Sequence, residues 1–269
     1  MHLLFRNTNN KDSKCNWVMD SLYKGWPNTE TADRSLVEPL AGHFWGFIEN
    51  NEYQIGHRIL DKIDWYFWDM PYYGRWSAFT EAIEPNRDFY WRVSKNSVHY
   101  SKTKDYPDDR FKKWNVEPKI GNKGSKILIC PSSPTMTRWI TGKMYDQWIN
   151  DTVNELKQYT DRPIEIRHKP RGEGRSGPDV AEIPFWKQAE DCHCIVTCIS
   201  ICAVEAQLMG IPTISDARSF ASDISSTVLE AIENPKQVDT SQWFYNLAYS
   251  QFTHKEIESG FAYEIIKNA

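Results

Sequence analysis

Cys194-Ile195-Val196-Thr197-Cys198-Ile199-Ser200-Ile201-Cys202-Ala203-Val204-Glu205-Ala206-Gln207-Leu208-Met209-Gly210-Ile211-Pro212-Thr213-Ile214 is the stretch that decides the fold. It opens as an unbroken apolar run, turns at Ser200, continues with helical spacing, stops at Gly210 and turns apolar again. A strand covered on both faces needs continuous apolar sequence, and a parallel neighbour needs a crossover. Strand, helix and strand in this order therefore predict a βαβ unit, with strands over Cys194–Cys198 and Ile211–Ile214 and a helix over Ile201–Met209. Gly210 suits the helix end, where the chain commonly enters a left-handed conformation.

Working outward, the same alternation begins at Ser125. Strands are predicted over Lys126–Cys130 and Ile164–Arg167. Helices are predicted over Met144–Tyr159, with Trp148, Thr152, Leu156 and Tyr159 on one face, and over Ile183–Glu190. A further helix is expected over Ser225–Glu233, ended by Pro235. Residues 121–241 thus read as an α/β, Rossmann-like domain with a parallel sheet.

Residues 1–120 carry a first strand at Met1–Arg6 and further strands at Trp65–Trp68 and Phe89–Val93, and read as a small α/β domain. Val116–Gly124, with Pro118, two glycines and two lysines, reads as the linker. The tail, 242–269, has helical spacing and is expected to cross back to the first domain. No apolar run approaches ~18 residues, and Met1–Arg6 is too short for a secretory signal, so no membrane partner and a cytoplasmic location are expected.

The 269 residues carry a net charge of −4, with neither half basic, which argues against a broad nucleic-acid face. Six cysteines include Cys192, Cys194, Cys198 and Cys202, flanking His193. Their spacing on an apolar run favours small buried hydrophobes over a zinc site, so no metal is expected.

Three stretches carry chemistry. Ile164-Glu165-Ile166-Arg167-His168-Lys169-Pro170-Arg171 places basic side chains just past a strand end, where ligands of open α/β sheets bind. Arg offers a bidentate fork and Lys a point charge, which suits a diphosphate; the plainer alternative is a solvated loop. Ser200 reads as an N-cap whose following amides, from Ile201 on, favour an anion, and Glu205 stands where ribose hydroxyls could donate to it. Cys130-Pro131-Ser132-Ser133-Pro134-Thr135 is either a phosphate-contacting loop through Ser132 and Ser133 or a Pro-bounded turn.

In this order the stretches resemble the donor half of glycosyltransferases with the two-Rossmann-domain (GT-B) architecture. The resemblance implies two Rossmann-like domains, the C-terminal one the clearer. It implies that Arg167, Lys169 and Arg171 contact the diphosphate of a nucleotide sugar, a UDP-sugar being favoured, with Ser200 and the following amides on its other side and Glu205 on the ribose. Phe67-Trp68-Asp69-Met70-Pro71-Tyr72-Tyr73-Gly74-Arg75, Phe89 to Asn96 and Leu247 to Thr253 resemble tailed-phage proteins, which implies DNA carrying hydroxymethylated pyrimidines as acceptor. A glycan acceptor is the alternative, and a non-catalytic nucleotide-binding module the reading of another class.

No Asp-x-Asp occurs, so no metal cofactor is expected to be required; transfer with inversion is expected separately, with Arg167 stabilising the leaving group. The attacking hydroxyl needs a base. Asp69, at a strand end, is the first candidate, and His43 and His99 are the others. Arg75 and Arg92 are candidates for acceptor phosphates, and Tyr72, Tyr73 and Trp76 for stacking, against the alternative of an aromatic core.

Overall fold

The computed structural model describes residues 2–6, 14–33, 42–45, 64–74, 89–97, 99, 104–121, 124–168 and 183–267. The strands are β1 (His2–Arg6), β2 (Thr29–Asp33), β3 (Gly42–Trp45), β4 (Trp65–Asp69), β5 (Tyr90–Lys95), β6 (Lys126–Ile129), β7 (Ile164–Ile166), β8 (Cys192–Thr197), β9 (Thr213–Ser215) and β10 (Gln251–Thr253). The described helices are α1 (Lys14–Gly25), α2 (Asp109–Lys112), α3 (Pro134–Thr141), α4 (Tyr145–Leu156), α5 (Phe185–Gln188), α6 (Cys202–Leu208), α7 (Ser241–Ala248), α8 (His254–Glu258) and α9 (Phe261–Ile266). The chain forms two compact units, 1–114 with 244–269 and 115–243.

Unit 1 holds a six-stranded sheet in the order β10-β5-β4-β3-β1-β2. Strands β2, β1, β3 and β4 are parallel, while β5 and β10 join antiparallel. On α1, Val18, Met19 and Leu22 point into a core with Leu4, Trp68, Trp91 and Phe252, while Trp17, Asp20, Tyr23 and Lys24 face solvent. Gly25 ends α1 against α8, where a Cβ would fall 1.7 Å from the carbonyl oxygen of Ile257.

The tail is not wholly helical as its spacing suggested: β10 pairs with β5, Phe252 opposite Trp91. Arg110 pins it there. This buried guanidinium donates to Glu256 Oε1 at 2.6 Å and Oε2 at 3.0 Å, to Ala248 O at 2.9 Å and to Gln251 O at 2.8 Å. The rings of Tyr249, Phe252 and Phe261 lie 5.1 to 5.4 Å from it. Glu256 also closes a capping box with Thr253, so one carboxylate fixes both the Arg110 clamp and the start of α8.

Unit 2 is a four-stranded parallel sheet, β7-β6-β8-β9. Ile127, Ile129, Cys194, Val196 and Ile214 meet Leu156 of α4 on one face. Leu128, Cys130, Cys192 and Ile195 meet Phe185, Cys202 and Ala206 of α5 and α6 on the other. The alternation of a strand covered on both faces explains why the cysteines are packed as small hydrophobes.

Three local expectations change. Cys130–Thr135 is not merely a turn, since Pro134 begins a full helix. The predicted helix at Ser225–Glu233 is only a 3₁₀ turn, Leu229–Glu233, because Ser226 bridges to Ile214 and the Ser225 hydroxyl bonds that of Thr213 at 2.5 Å. The predicted linker is partly docked: Lys119 N–H donates to Leu208 O, and a Cβ on Gly210, whose φ is +74°, would lie 2.9 Å from Lys119 O.

Candidate functional site

In unit 2 the chain goes from β6 outward to β7, then crosses β6 to β8. The connections leaving the C-terminal ends of β6 and β8 therefore run in opposite directions, and open α/β sheets bind ligands in the crevice this leaves. The residues there are Cys130 to Ser133, Cys198 to Cys202 and Asp216 to Arg218.

The two central loops are laced together. Thr197 Oγ1 donates to Cys130 O at 2.7 Å and accepts from Ser200 N–H at 3.2 Å, and buried Ser132 Oγ accepts from Ile199 N–H at 3.1 Å. Ser132 thus serves as a tie between loops. Ser133 is the N-cap of α3, its Oγ accepting from Met136 N–H at 3.3 Å, with Pro134 at the first helical position.

Ser200 differs from its expected role. Helix α6 starts at Cys202 with Ile201 in the N-cap position, and Ser200 Oγ accepts from Cys202 N–H at 3.4 Å, because 3₁₀-type bonds from Ala203 to Ser200 and from Val204 to Ile201 tighten the first turn. Glu205 is exposed in that first turn.

The basic cluster does not converge as the sequence suggested. Past β7 the side chains of Arg167 and His168 leave on opposite faces, as strand alternation requires. Arg167 Nη1 donates to Ile183 O at 2.9 Å and to Gln188 Oε1 at 2.8 Å, and the guanidinium lies over Phe185, so it braces α5. His168 Nδ1 lies 3.1 Å from the Tyr145 hydroxyl on α4. Lys169 and Arg171 lie outside the described residues.

Asp216 and Arg218 were missed. They follow β9 in Ser215-Asp216-Ala217-Arg218, and an Asp with an Arg two residues on, directly after a strand, was the available signal. Asp216 N–H donates to Cys198 O at 3.0 Å. Arg218 grips the carboxylate through two contacts of 2.8 Å and donates its third arm to Ile140 O at the end of α3. Burial works to raise the Asp216 carboxyl, but the hydrogen bonds and charge of Arg218 outweigh it and hold it below its usual value. The half-exposed Arg218 places a fixed cation at the rim of the switch point.

In unit 1, Asp69 ends β4. Its Oδ2 accepts from Arg92 Nη2 at 2.6 Å and its Oδ1 from Met70 N–H at 2.7 Å. Arg92 is buried, donates from Nη1 to His99 Nδ1 at 2.6 Å, and lies 5.6 Å and 5.4 Å from the Phe67 and Tyr72 ring centroids. Because Arg can only donate, His99 Nδ1 is an acceptor and Nε2 carries the proton. Tyr72 is buried; Tyr73 stacks on Trp114 at 4.8 Å and exchanges backbone bonds with the Gln251 amide. These aromatic rings and Arg92 are built into the core of unit 1. The His43 backbone lies in β3, opposite Tyr66; its side chain, Arg75 and Trp76 lie outside the description.

Among the described residues, no group of three His, Cys, Asp or Glu side chains is placed to hold a metal ion, and no helix is long and apolar enough to cross a membrane.

No family model matches the chain, and no curated protein does. Two solved structures are similar in outline, both from Thermosulfurimonas dismutans KpsC. The beta Kdo 2,4 transferase is 10% identical, with a TM-score of 0.47 over 93% of this chain and 91% of that one. The beta Kdo 2,7 transferase is 8% identical, with a TM-score of 0.46 over 98% and 99%. At TM-scores below 0.5 these likenesses add no functional argument, and the α/β class rests on strand order and connection.

Proposed function

We propose that the protein is a glycosyltransferase that takes a sugar from a nucleotide sugar and passes it to a glycan hydroxyl. The observation that carries the reading is the switch point of unit 2. There the capped start of α3, the laced loops after β6 and β8, and Arg218 meet at the one end of a parallel sheet where nucleotide ligands bind. Unit 1 repeats the parallel order, as a two-Rossmann-domain enzyme requires. A glycan is preferred to DNA as acceptor because a chain of net charge −4 has no excess of cations to neutralise a phosphate backbone.

In this reading Arg218 receives the phosphates, with Ser200, Ile201, Lys169 and Arg171 as further proposed contacts and Glu205 proposed for the ribose. Fixed donors aimed at the leaving phosphate favour the transition state, where its charge grows. Asp69 is the proposed base. Its carboxylate keeps lone pairs beyond those used by Arg92 and Met70, and a carboxylate accepts about four hydrogen bonds.

The test is a thermal-shift titration with UDP, GDP, CDP and ADP, with and without magnesium. A ligand at 100 times its Kd adds about 2.7 kcal/mol to the folded state. One nucleotide should raise the melting temperature of the wild type and fail to do so in Thr197→Val. No shift with any nucleotide would overturn the reading. Binding without sugar transfer to any oligosaccharide would leave a nucleotide-binding module, and transfer to hydroxymethylated DNA instead would reverse the choice of acceptor.

A further inference from the structure

His254, the first residue of α8, joins three elements of unit 1 that lie far apart in sequence. The Trp91 indole N–H on β5 donates to its Nε2 at 2.8 Å, the two rings meeting edge to face at 5.4 Å. Its Nδ1 lies 2.7 Å from the Ser21 hydroxyl on α1. An indole N–H can only donate, so Nε2 accepts, the ring is neutral and Nδ1 carries the proton. Nδ1–H therefore donates to Ser21 Oγ, whose own proton is shared between Glu258 Oε1 and Trp17 O, each at 3.3 Å. Ser21 is thus no nucleophile facing a base, because the ring donates to it. We propose that His254 is an acid-sensitive latch, which as a neutral ring holds α8 and α9 against α1 and β5 and on protonation releases them.

A proton on Nε2 would point at the indole N–H, so a hydrogen bond becomes a clash of two donors and the buried Trp91 loses its acceptor. Close packing leaves the ring no room to step aside. The backbones of α1 and α8 touch at Gly25 and Ile257, and Ile257, Ala262 and Ile266 share one core with Val18, Met19 and Leu22. The surrounding charges do not rescue a charged ring. Glu258, one turn along α8, would favour it, but Lys24 of α1 holds that carboxylate at 2.9 Å at the solvent rim, where salt screens it. Glu256 is turned to Arg110, and Arg92 lies on the opposite face of β5 with Asp69. Asp20 and Lys255, next in sequence to Ser21 and His254, are exposed.

The direction follows from linkage. With α8 undocked, His254 takes a proton at the ordinary imidazole value of about 6.5, whereas in the docked ring the indole occupies the lone pair that would receive it. Docking is therefore complete above about pH 6.5 and is lost as pH falls below it. The start of the tail responds only in stronger acid. Despite its burial, the Glu256 carboxyl is held below 4.5 by the hydrogen bonds and charge of Arg110, and β10 stays paired with β5. The latch thus frees α8 and α9 from α1 while the clamp keeps Gln251–Thr253 in the sheet.

The experiment is amide hydrogen exchange of the full chain at about pH 7.5 and about pH 5.5, read by mass spectrometry and corrected for the intrinsic pH dependence of exchange. Across this interval the open state gains a proton on His254, so protection of α8, α9 and the facing turn of α1 should fall about tenfold and recover on return to neutral pH. The strands of unit 2 should keep theirs. His254→Gln, whose side-chain oxygen can accept from Trp91 but takes no proton, should show no such fall. Equal protection of α8 and α9 at the two pH values in the wild type, or an equal fall in His254→Gln, overturns the proposal. If the variant fails to fold, nitrogen NMR of the wild-type histidine rings decides with the exchange data. At neutral pH His254 should carry its proton on Nδ1, and a proton on Nε2 overturns the proposal. Neither readout depends on which nucleotide unit 2 binds.

Discussion

The two units share one strand order built from opposite materials. In each, the second strand lies outside the first and the third and fourth on its other side: β2-β1-β3-β4 in unit 1 and β7-β6-β8-β9 in unit 2. Unit 2 is made of aliphatic and cysteine side chains, has no buried ion pair among its described residues, and ends at β9. Unit 1 uses Trp, Tyr and Phe, adds β5 and β10, and buries Arg92 and Arg110 to join them. The common topology can thus be completed by apolar contact alone or by long-range cations. The difference lies in what fails first when a contact is lost.

Arg110→Ala should separate the units most sharply. It leaves Glu256 without its buried partner and frees two carbonyls, a loss of about 3–5 kcal/mol by the measure of broken buried pairs. Calorimetry should show the transition of unit 1 moving down while that of unit 2 holds. An unchanged profile would mean that the tail is held by β10 pairing and apolar contact alone.

Acid should act on the same clamp. Burial raises the Glu256 carboxyl, and hydrogen bonds from Arg110 and Thr253 with the charge of Arg110 outweigh it, so its folded value lies below the unfolded one of 4.5. The stabilisation is therefore complete above the unfolded value and is lost as pH falls through the folded value. Melting of unit 1 between pH 7 and pH 3 should lose stability below about 4.5 in the wild type. The same titration of Arg110→Ala should be flatter, and parallel curves would remove Glu256 as the cause.

Thr197→Val tests the lacing in unit 2. It deprives Cys130 O of a donor and Ser200 N–H of an acceptor, a cost of about 1–3 kcal/mol. Chemical denaturation should locate that loss in unit 2. The smallest effect is expected for Ser133→Ala, about 1 kcal/mol for a lost N-cap, measured in the same way. A larger loss from Ser133→Ala than from Thr197→Val would place the stability of the switch point in α3 rather than between the loops.

The four strands of unit 2 and its helices α4, α5 and α6 were legible because each rests on neighbours in sequence: the apolar run Ile195–Val196, the spacing of Thr152 and Leu156, the stop at Gly210. Ser133 as a hydroxyl before Pro134 was legible too, though not as a helix cap. The partners of Arg167 were not, since Ile183 and Gln188 stand on the next crossover. Nor was the role of Ser132, whose hydroxyl meets an amide 67 residues away. The aromatic stretch around Tyr72 and Tyr73 looks alike as a stacking surface or a core, and only packing against Trp114 and Arg92 separates the two.

By itself the sequence determined where the chain alternates between strand and helix and which faces are apolar, because periodicity of 2 or 3.6 residues is a local property. Tertiary structure alone decided that Gln251–Thr253 is a strand, that Arg167 and His168 part company, and that Arg110 holds the tail. Those outcomes depend on backbone and charged groups finding partners across as many as 163 residues, from Tyr90 to Thr253, and no local pattern records which partner is met.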